Sequence, residues 1–139
     1  MTYTITPLIG EQAIAARVRE LAASIDADMG DSPYVLLRLL DGAVHFASML
    51  AEHLKSRPEE RSVKVDTGRT LAGVCGELKK RGVQRVLTAV AVDKHCCRKV
   101  PFEADYVAFT WGDDFLVGFG MDLDNRYRDL PYIGKAAAD

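Results

Sequence analysis

Five consecutive residues, Asp66-Thr67-Gly68-Arg69-Thr70, carry the features of a phosphate cup. The glycine permits close backbone approach and the threonine hydroxyls donate. The helical pattern that follows turns free N–H groups and a positive dipole end toward an anion. The same residues also suit an ordinary capped helix start, because Asp and Thr are good N-caps. A P-loop is excluded, since GxxxxGK[ST] is absent. A second dense stretch, Gly118 to Pro131, places Asp and Arg residues directly after an apolar run. Asp122-x-Asp124 begins like a calcium loop, but position six is Tyr127 where Gly is needed and position twelve is Ile133 where Glu is needed. Gly118-x-Gly120 lacks the third glycine and the helix of a dinucleotide site. A solvated loop with internal Asp–Arg pairs is the plain alternative for this stretch.

The three cysteines, Cys75 and the adjacent pair Cys96-Cys97, form no framework of spaced bridges. Cys75 sits at helical spacing among apolar residues and reads as a small core residue. Contiguous His95-Cys96-Cys97 cannot easily converge on one tetrahedral ion, so a loop is expected there.

These residues need elements to position them. Ile14, Val18, Leu21 and Ile25 recur at helical spacing and predict an amphipathic helix ending near Met29-Gly30. Tyr34 to Leu40 reads as a buried strand with Asp41-Gly42 as its exit turn, followed by a helix with Ala43, Ala47, Leu50 and Leu54 on one face. After a polar loop, Ser56 to Arg61, comes a very short stretch, Ser62 to Val65. A helix carrying Leu71, Val74, Cys75 and Leu78 then stops at Gly82. Val86 to Val92 reads as a central strand, and Tyr106 to Phe109 and Phe115 to Phe119 as two more around the turn Trp111-Gly-Asp-Asp114. The Ala-rich end, Lys135 to Asp139, reads as a frayed tail. Strands alternating with helices predict an α/β fold on a parallel sheet. Ligands then bind where loops leave the carboxyl ends of strands: Asp41-Gly42-Ala43, Asp66 to Thr70, Asp93-Lys94-His95 and the segment after Phe119.

The 139 residues carry 18 Lys+Arg against 20 Asp+Glu, a net charge of −2, and are 48% apolar, which fits one domain, residues 1–139. No apolar run approaches the roughly 18 residues of a membrane span. The near-neutral charge argues against a general nucleic-acid binder. Met1-Thr-Tyr-Thr-Ile lacks the regions of a signal peptide, so a cytoplasmic location is expected.

Asp66-Thr-Gly-Arg-Thr-Leu71, Ala91-Val-Asp-Lys94, Ala104-Asp-Tyr-Val107, Phe115-Leu-Val-Gly-Phe-Gly-Met-Asp122 and Tyr127-Arg-Asp-Leu-Pro-Tyr-Ile133 resemble, in this order, the hypoxanthine-guanine phosphoribosyltransferase family. Leu39-Leu-Asp-Gly-Ala43 is similar to its pyrophosphate loop. The resemblance implies a type I phosphoribosyltransferase fold: a central, mostly parallel sheet flanked by helices, with a small hood formed by the chain termini. It implies purine salvage, in which a 5-phosphoribosyl group passes from PRPP to N9 of hypoxanthine or guanine, giving IMP or GMP and pyrophosphate. Carried over by position, Thr67, Gly68, Arg69 and Thr70 bind the 5′-phosphate, and Asp66 exchanges a proton near purine N7. Lys94 bonds the purine O6, Phe115 stacks on the base, and the Leu116 backbone meets the opposite edge. Asp122 contacts a magnesium shell, while Asp41, Gly42 and Arg128 hold the departing pyrophosphate. The family habit further implies a homodimer or homotetramer.

The sequence departs from that pattern just before Asp66. The family's mobile catalytic loop with a Ser-Tyr pair, its further strand and its acidic pair have no counterpart, because only Glu59 to Val65 precede Asp66. The polarity of Ser62-Val-Lys-Val65 is that of an edge strand, whereas Asp66 to Thr70 reads as a central-strand exit. The two are expected to lie apart, with a stretch missing at the Val65–Asp66 junction. A true deletion implies the alternative function, a catalytically weak or inactive nucleotide-binding protein on the same fold.

Overall fold

The computed structural model describes residues 2–40, 42–64, 71–94 and 103–139. Ile14, Val18, Leu21, Ala22 and Ile25 form one buried stripe on helix α1 (Glu11–Met29), which ends at Gly30 with a left-handed φ of 55°. The apolar run Val-Leu-Leu-Arg-Leu-Leu is strand β2 (Val35–Leu40). Helix α2 (Val44–His53) follows, burying Phe46, Ala47 and Leu50. Strand β3 (Glu59–Lys64) pairs with β2 in parallel, and all six of its residues are exposed, as an edge strand requires. It starts three residues before Ser62, in the stretch read as polar loop: backbone pairing to β2 overrides the low strand propensity of Glu59-Glu60.

Helix α3 (Leu71–Lys80) buries Val74 and Cys75, and Gly82, at φ 94°, lies just beyond its end. Strands β4 (Ala89–Lys94) and β5 (Tyr106–Trp111) form a second parallel pair. Val86 to Thr88 are not part of β4. The ladder begins where the Asp105 carboxylate accepts from the Thr88 N–H (2.7 Å) and hydroxyl (3.2 Å).

The chain ends build a third sheet. Strand β1 (Tyr3–Ile9) pairs antiparallel with β7 (Ile133–Ala138), which also pairs with the two-residue β6 (Leu116–Val117). This is the expected hood. Lys135 to Asp139 is therefore no frayed tail, because Tyr3 to Thr6 supply a full set of backbone partners for Lys135 to Ala138. The expected strand Phe115 to Phe119 is cut to Leu116–Val117 by left-handed backbone at Gly118, Phe119 and Gly120.

One apolar core joins these parts. It includes Ile14, Val18, Leu21 and Ile25 of α1, Phe46 and Leu50 of α2, Ala108 of β5, Leu116 of β6 and Ile133 of β7. Asp26 of α1 anchors the turn after α2, accepting from the Lys55 N–H (2.9 Å), the Ser56 N–H (3.0 Å) and the Ser56 hydroxyl (2.6 Å). The fold class is α/β as expected. Among the described residues, the parallel strands pair as β2 with β3 and β4 with β5. Among the described residues, no helix is long and apolar enough to cross a membrane.

Candidate active site

The exit of β2 meets the segment after β6 at two glycines. Gly120, at φ 95°, packs so closely on Gly42 that the Gly42 carbonyl occupies the place of a Cβ on Gly120. Gly118, at φ 91°, is held by the same logic against the Tyr132 carbonyl. Gly118-x-Gly120 thus serves backbone packing where the sequence offered only an incomplete dinucleotide motif. The turn is pinned by reciprocal bonds between Gly118 and Met121 (2.9 and 3.0 Å), by the Phe119 N–H to Leu130 (2.8 Å) and by the Gly120 N–H to Arg128 (2.9 Å).

Arg128 lies across this junction. Its guanidinium donates to the Gly120 carbonyl at 2.8 Å, faces an Asp122 carboxylate oxygen at 3.4 Å, and lies 4.0 Å from where a Cβ on Gly42 would stand. The other Asp122 oxygen accepts the Asn125 N–H at 2.9 Å. Gly42, Asp122 and Arg128, drawn from two distant segments, therefore form one cluster. It presents exposed backbone at Gly42 beside a half-buried cation, a suitable surface for an oxyanion. The internal Asp–Arg pair expected of a solvated loop is present, but it lies against β2's exit.

The other described candidates stand at the end of β4, between β5 and β6, and in β6. Lys94 ends β4 and is the ladder partner of Trp111, the last residue of β5. The Trp111 indole N–H donates to Asp114 at 2.9 Å, closing the turn that delivers Phe115. Phe115 is 51% exposed, so its ring presents an open face. Its carbonyl accepts the Ala136 N–H (2.9 Å), which makes Leu116 and Lys135 a non-hydrogen-bonded pair. The backbone N–H and C=O of Leu116 consequently point away from β7, along the open edge of the sheet. Asp66, Thr67, Gly68, Arg69, Thr70 and Asp41 lie outside the described residues, as do His95-Cys96-Cys97 and the Val65–Asp66 junction.

Magnesium finds no all-protein cage here: among the described residues, no three His, Cys, Asp or Glu side chains cluster to hold a metal. That arrangement still fits this ion, which takes one or two carboxylates and completes its shell with water and substrate phosphates. Asp122 supplies one carboxylate to the cluster at β2's exit. Sequence reasoning missed His45 and Phe119. Their rings lie 6.2 Å apart behind the junction, where they line a cavity of about 340 Å³ with Glu11, Met49, Asp129 and others. A larger cleft, about 610 Å³, opens at the amino ends of β2 and β3 and includes none of the candidate residues.

Comparison with known proteins accords with this geometry. Residues 64–125 match the model of the phosphoribosyl transferase domain. The chain is 30% identical to a hypoxanthine phosphoribosyltransferase of Buchnera aphidicola, covering 97% of each chain. It is also 30% identical to a hypoxanthine-guanine phosphoribosyltransferase of Streptococcus thermophilus, covering 91% of this chain and 90% of that one. A hypoxanthine-guanine phosphoribosyltransferase of Bacillus anthracis, solved with HEPES in its active site, superposes with a TM-score of 0.90 at 25% identity, covering 99% of this chain and 100% of that one. The Trypanosoma cruzi hypoxanthine phosphoribosyltransferase solved with its product IMP superposes with a TM-score of 0.82 at 28% identity, over 93% and 88%. The cluster at β2's exit and the two 30% relatives together make the chain a member of the hypoxanthine-guanine phosphoribosyltransferase family, with the type I phosphoribosyltransferase fold.

Proposed function

We propose that this protein transfers the 5-phosphoribosyl group of PRPP to N9 of hypoxanthine or guanine, forming IMP or GMP and pyrophosphate. The observation that carries the reading is the meeting of Gly42, Asp122 and Arg128 at the exit of β2. In this reaction C1′ becomes oxocarbenium-like as pyrophosphate departs, so catalysis needs positive charge on the leaving group and a fixed ribose. Arg128 and the backbone of Asp41-Gly42 receive the departing pyrophosphate. Magnesium, when bound with the pyrophosphate, would supply Lewis acidity, and Asp122 is the described carboxylate that would contact its water shell. Thr67, Gly68, Arg69 and Thr70 hold the 5′-phosphate, and Asp66 exchanges the proton at purine N7.

The purine is read at three points. Phe115 offers its exposed ring for stacking. Lys94 donates to O6, a position where adenine carries an amine, and the outward-facing backbone of Leu116 bonds the opposite edge. The protein works as a single domain in a cytoplasmic homodimer or homotetramer. The test is PRPP- and magnesium-dependent conversion of hypoxanthine to IMP, followed by release of pyrophosphate. IMP binding without turnover by the wild-type chain would overturn the enzymatic reading in favour of a nucleotide-binding protein. The short stretch Glu59 to Val65 before Asp66 is the sequence feature behind this second outcome.

A further inference from the structure

Bulky side chains rarely sit on left-handed backbone, because Cβ there crowds the carbonyl that follows. Among the described residues, five non-glycine positions have left-handed φ: Arg57, Phe119, Asp124, Asn125 and Tyr127. Four of the five fall between Phe119 and Tyr127, directly beside the cluster of Gly42, Asp122 and Arg128.

Two of these four have a local cause. Leu123 and Arg126 exchange backbone bonds of 3.1 and 3.0 Å, and Asp124 (φ 53°) and Asn125 (φ 61°) between them form the two-residue turn that favours positive φ at both positions. Asp and Asn are also the residue types that tolerate it best. The Asp122 carboxylate accepts the Asn125 N–H at 2.9 Å, which ties this turn to the cluster.

Tyr127 is different. It lies outside the turn, yet it carries an aromatic ring on backbone with φ 71°. What holds it is close by: the Arg126 guanidinium lies 5.1 Å from the ring centroid, and the Tyr127 carbonyl accepts the Leu130 N–H at 3.2 Å. What it delivers is the next residue. Arg128 grips Gly120 twice, its carbonyl accepting the Gly120 N–H at 2.9 Å and its guanidinium donating to the Gly120 carbonyl at 2.8 Å. One residue meets both polar groups of a single glycine only if the peptide entering it is turned correctly, and the dihedrals of Tyr127 set that turn. Right-handed backbone at Tyr127 would swing Arg128 off Gly120, and with it away from Asp122.

We propose that Tyr127 is a positioning residue for Arg128: its ring, held by Arg126, keeps the left-handed backbone that aims the guanidinium at the departing pyrophosphate. The role rests on the reaction proposed above. It makes backbone strain part of the site, because a strained conformation persists only where its surroundings hold it. Tyr127 acts through Arg128 and not on the purine.

Three substitutions separate the ring from the backbone. Tyr127→Phe keeps the ring, Tyr127→Gly adopts positive φ without strain, and Tyr127→Ala keeps the strain with no ring to hold it. The Phe and Gly variants should hold the KM for PRPP within about threefold of wild type, whereas Tyr127→Ala should raise it at least about tenfold, because a misplacement of about 1 Å can cost 100-fold. The KM for hypoxanthine should stay within about twofold in all three. In an Arg128→Ala background, Tyr127→Ala should add no further loss. Exchange of the Gly120 amide reads its bond to Arg128 without turnover, and should be at least about tenfold faster in Tyr127→Ala than in Tyr127→Gly. Equal KM for PRPP in the Ala and Gly variants, equal loss for both substrates, or a further loss in the Arg128→Ala background would overturn the proposal. A wild-type chain without turnover would overturn the reaction instead, and the Gly120 amide alone would then decide whether Tyr127 places Arg128.

Discussion

The carbonyl oxygen of Gly42 occupies the place where a Cβ on Gly120 would stand. Gly120 also holds φ at 95°, so a side chain there meets a steric clash with backbone and a strained conformation together. Gly120→Ala should lose about 1–3 kcal/mol of stability from the backbone strain alone. It should also displace Gly42 and raise the KM for PRPP. Urea denaturation reads the first effect. Gly112→Ala serves as the control, because nothing lies within 4 Å of its Cβ position. An unchanged midpoint in Gly120→Ala would show that the two segments do not meet.

Arg128 is held in a two-point geometry, by the Gly120 carbonyl and by Asp122, which a lysine ammonium cannot reproduce. Arg128→Ala should lower kcat/KM for PRPP by roughly 100- to 1,000-fold, the scale of removing one transition-state donor. Arg128→Lys should recover little of that loss. Asp122→Asn should shift the magnesium dependence to higher concentration while leaving the KM for hypoxanthine nearly unchanged. A lysine variant with full activity would mean that Arg128 acts only as a point charge.

For Lys94 the expected signature is a split between substrates, because its partner is an atom of the base. Lys94→Ala should raise the KM for hypoxanthine by roughly tenfold or more, in line with about 1.5–3 kcal/mol for a hydrogen bond to a charged group. The KM for PRPP should stay within about twofold, and discrimination against adenine should weaken. Steady-state kinetics with each substrate varied in turn decides this. Equal effects on both substrates would place Lys94 away from the purine.

Asp26 provides a pH-dependent anchor. Burial raises its pKa, but the hydroxyl of Ser56 and the N–H groups of Lys55 and Ser56 outweigh it, leaving the carboxyl below the usual value of 3.8. A group whose folded pKa is depressed adds stability above its unfolded pKa, and that stability is lost as pH falls through the folded value. Asp26→Asn should therefore be less stable than the wild type at pH 7. The difference should shrink as pH falls below about 4, the unfolded carboxylate range. Denaturation midpoints for the pair across pH 2.5 to 7 give the readout (about 0.5-unit steps suffice). A difference that stays constant with pH would mean that the bonds do not distinguish the charged form.

The helices were legible because burial follows their 3.6-residue period: Ile14, Val18, Leu21 and Ile25 are all buried, as are Val74 and Cys75. Burial pushes the Cys75 thiol upward in pKa, consistent with its reading as a core residue. Strand β7 was illegible because Lys135-Ala-Ala-Ala138 has low strand propensity, and its pairing partner begins more than 120 residues earlier. The Gly42–Gly120 junction was half legible. Each glycine stood in a candidate loop, but only the fold brings the two loops together. The outward-facing backbone of Leu116 depends on the pairing phase of β6 with β7, and side-chain types do not encode that phase directly.

The hood sheet has a kinetic consequence. Its order, β1-β7-β6, puts the last strand made between the first and the next to last. β1 leaves the ribosome with no antiparallel partner and acquires one only when β7 emerges. The ladder then closes a loop of very high sequence separation, the kind of contact that forms late because its entropy must be overcome first. The hood therefore completes after α1 and α2 have packed. Since Leu116 is oriented by that same sheet, a newly made chain gains the edge proposed to read the purine at the end of folding.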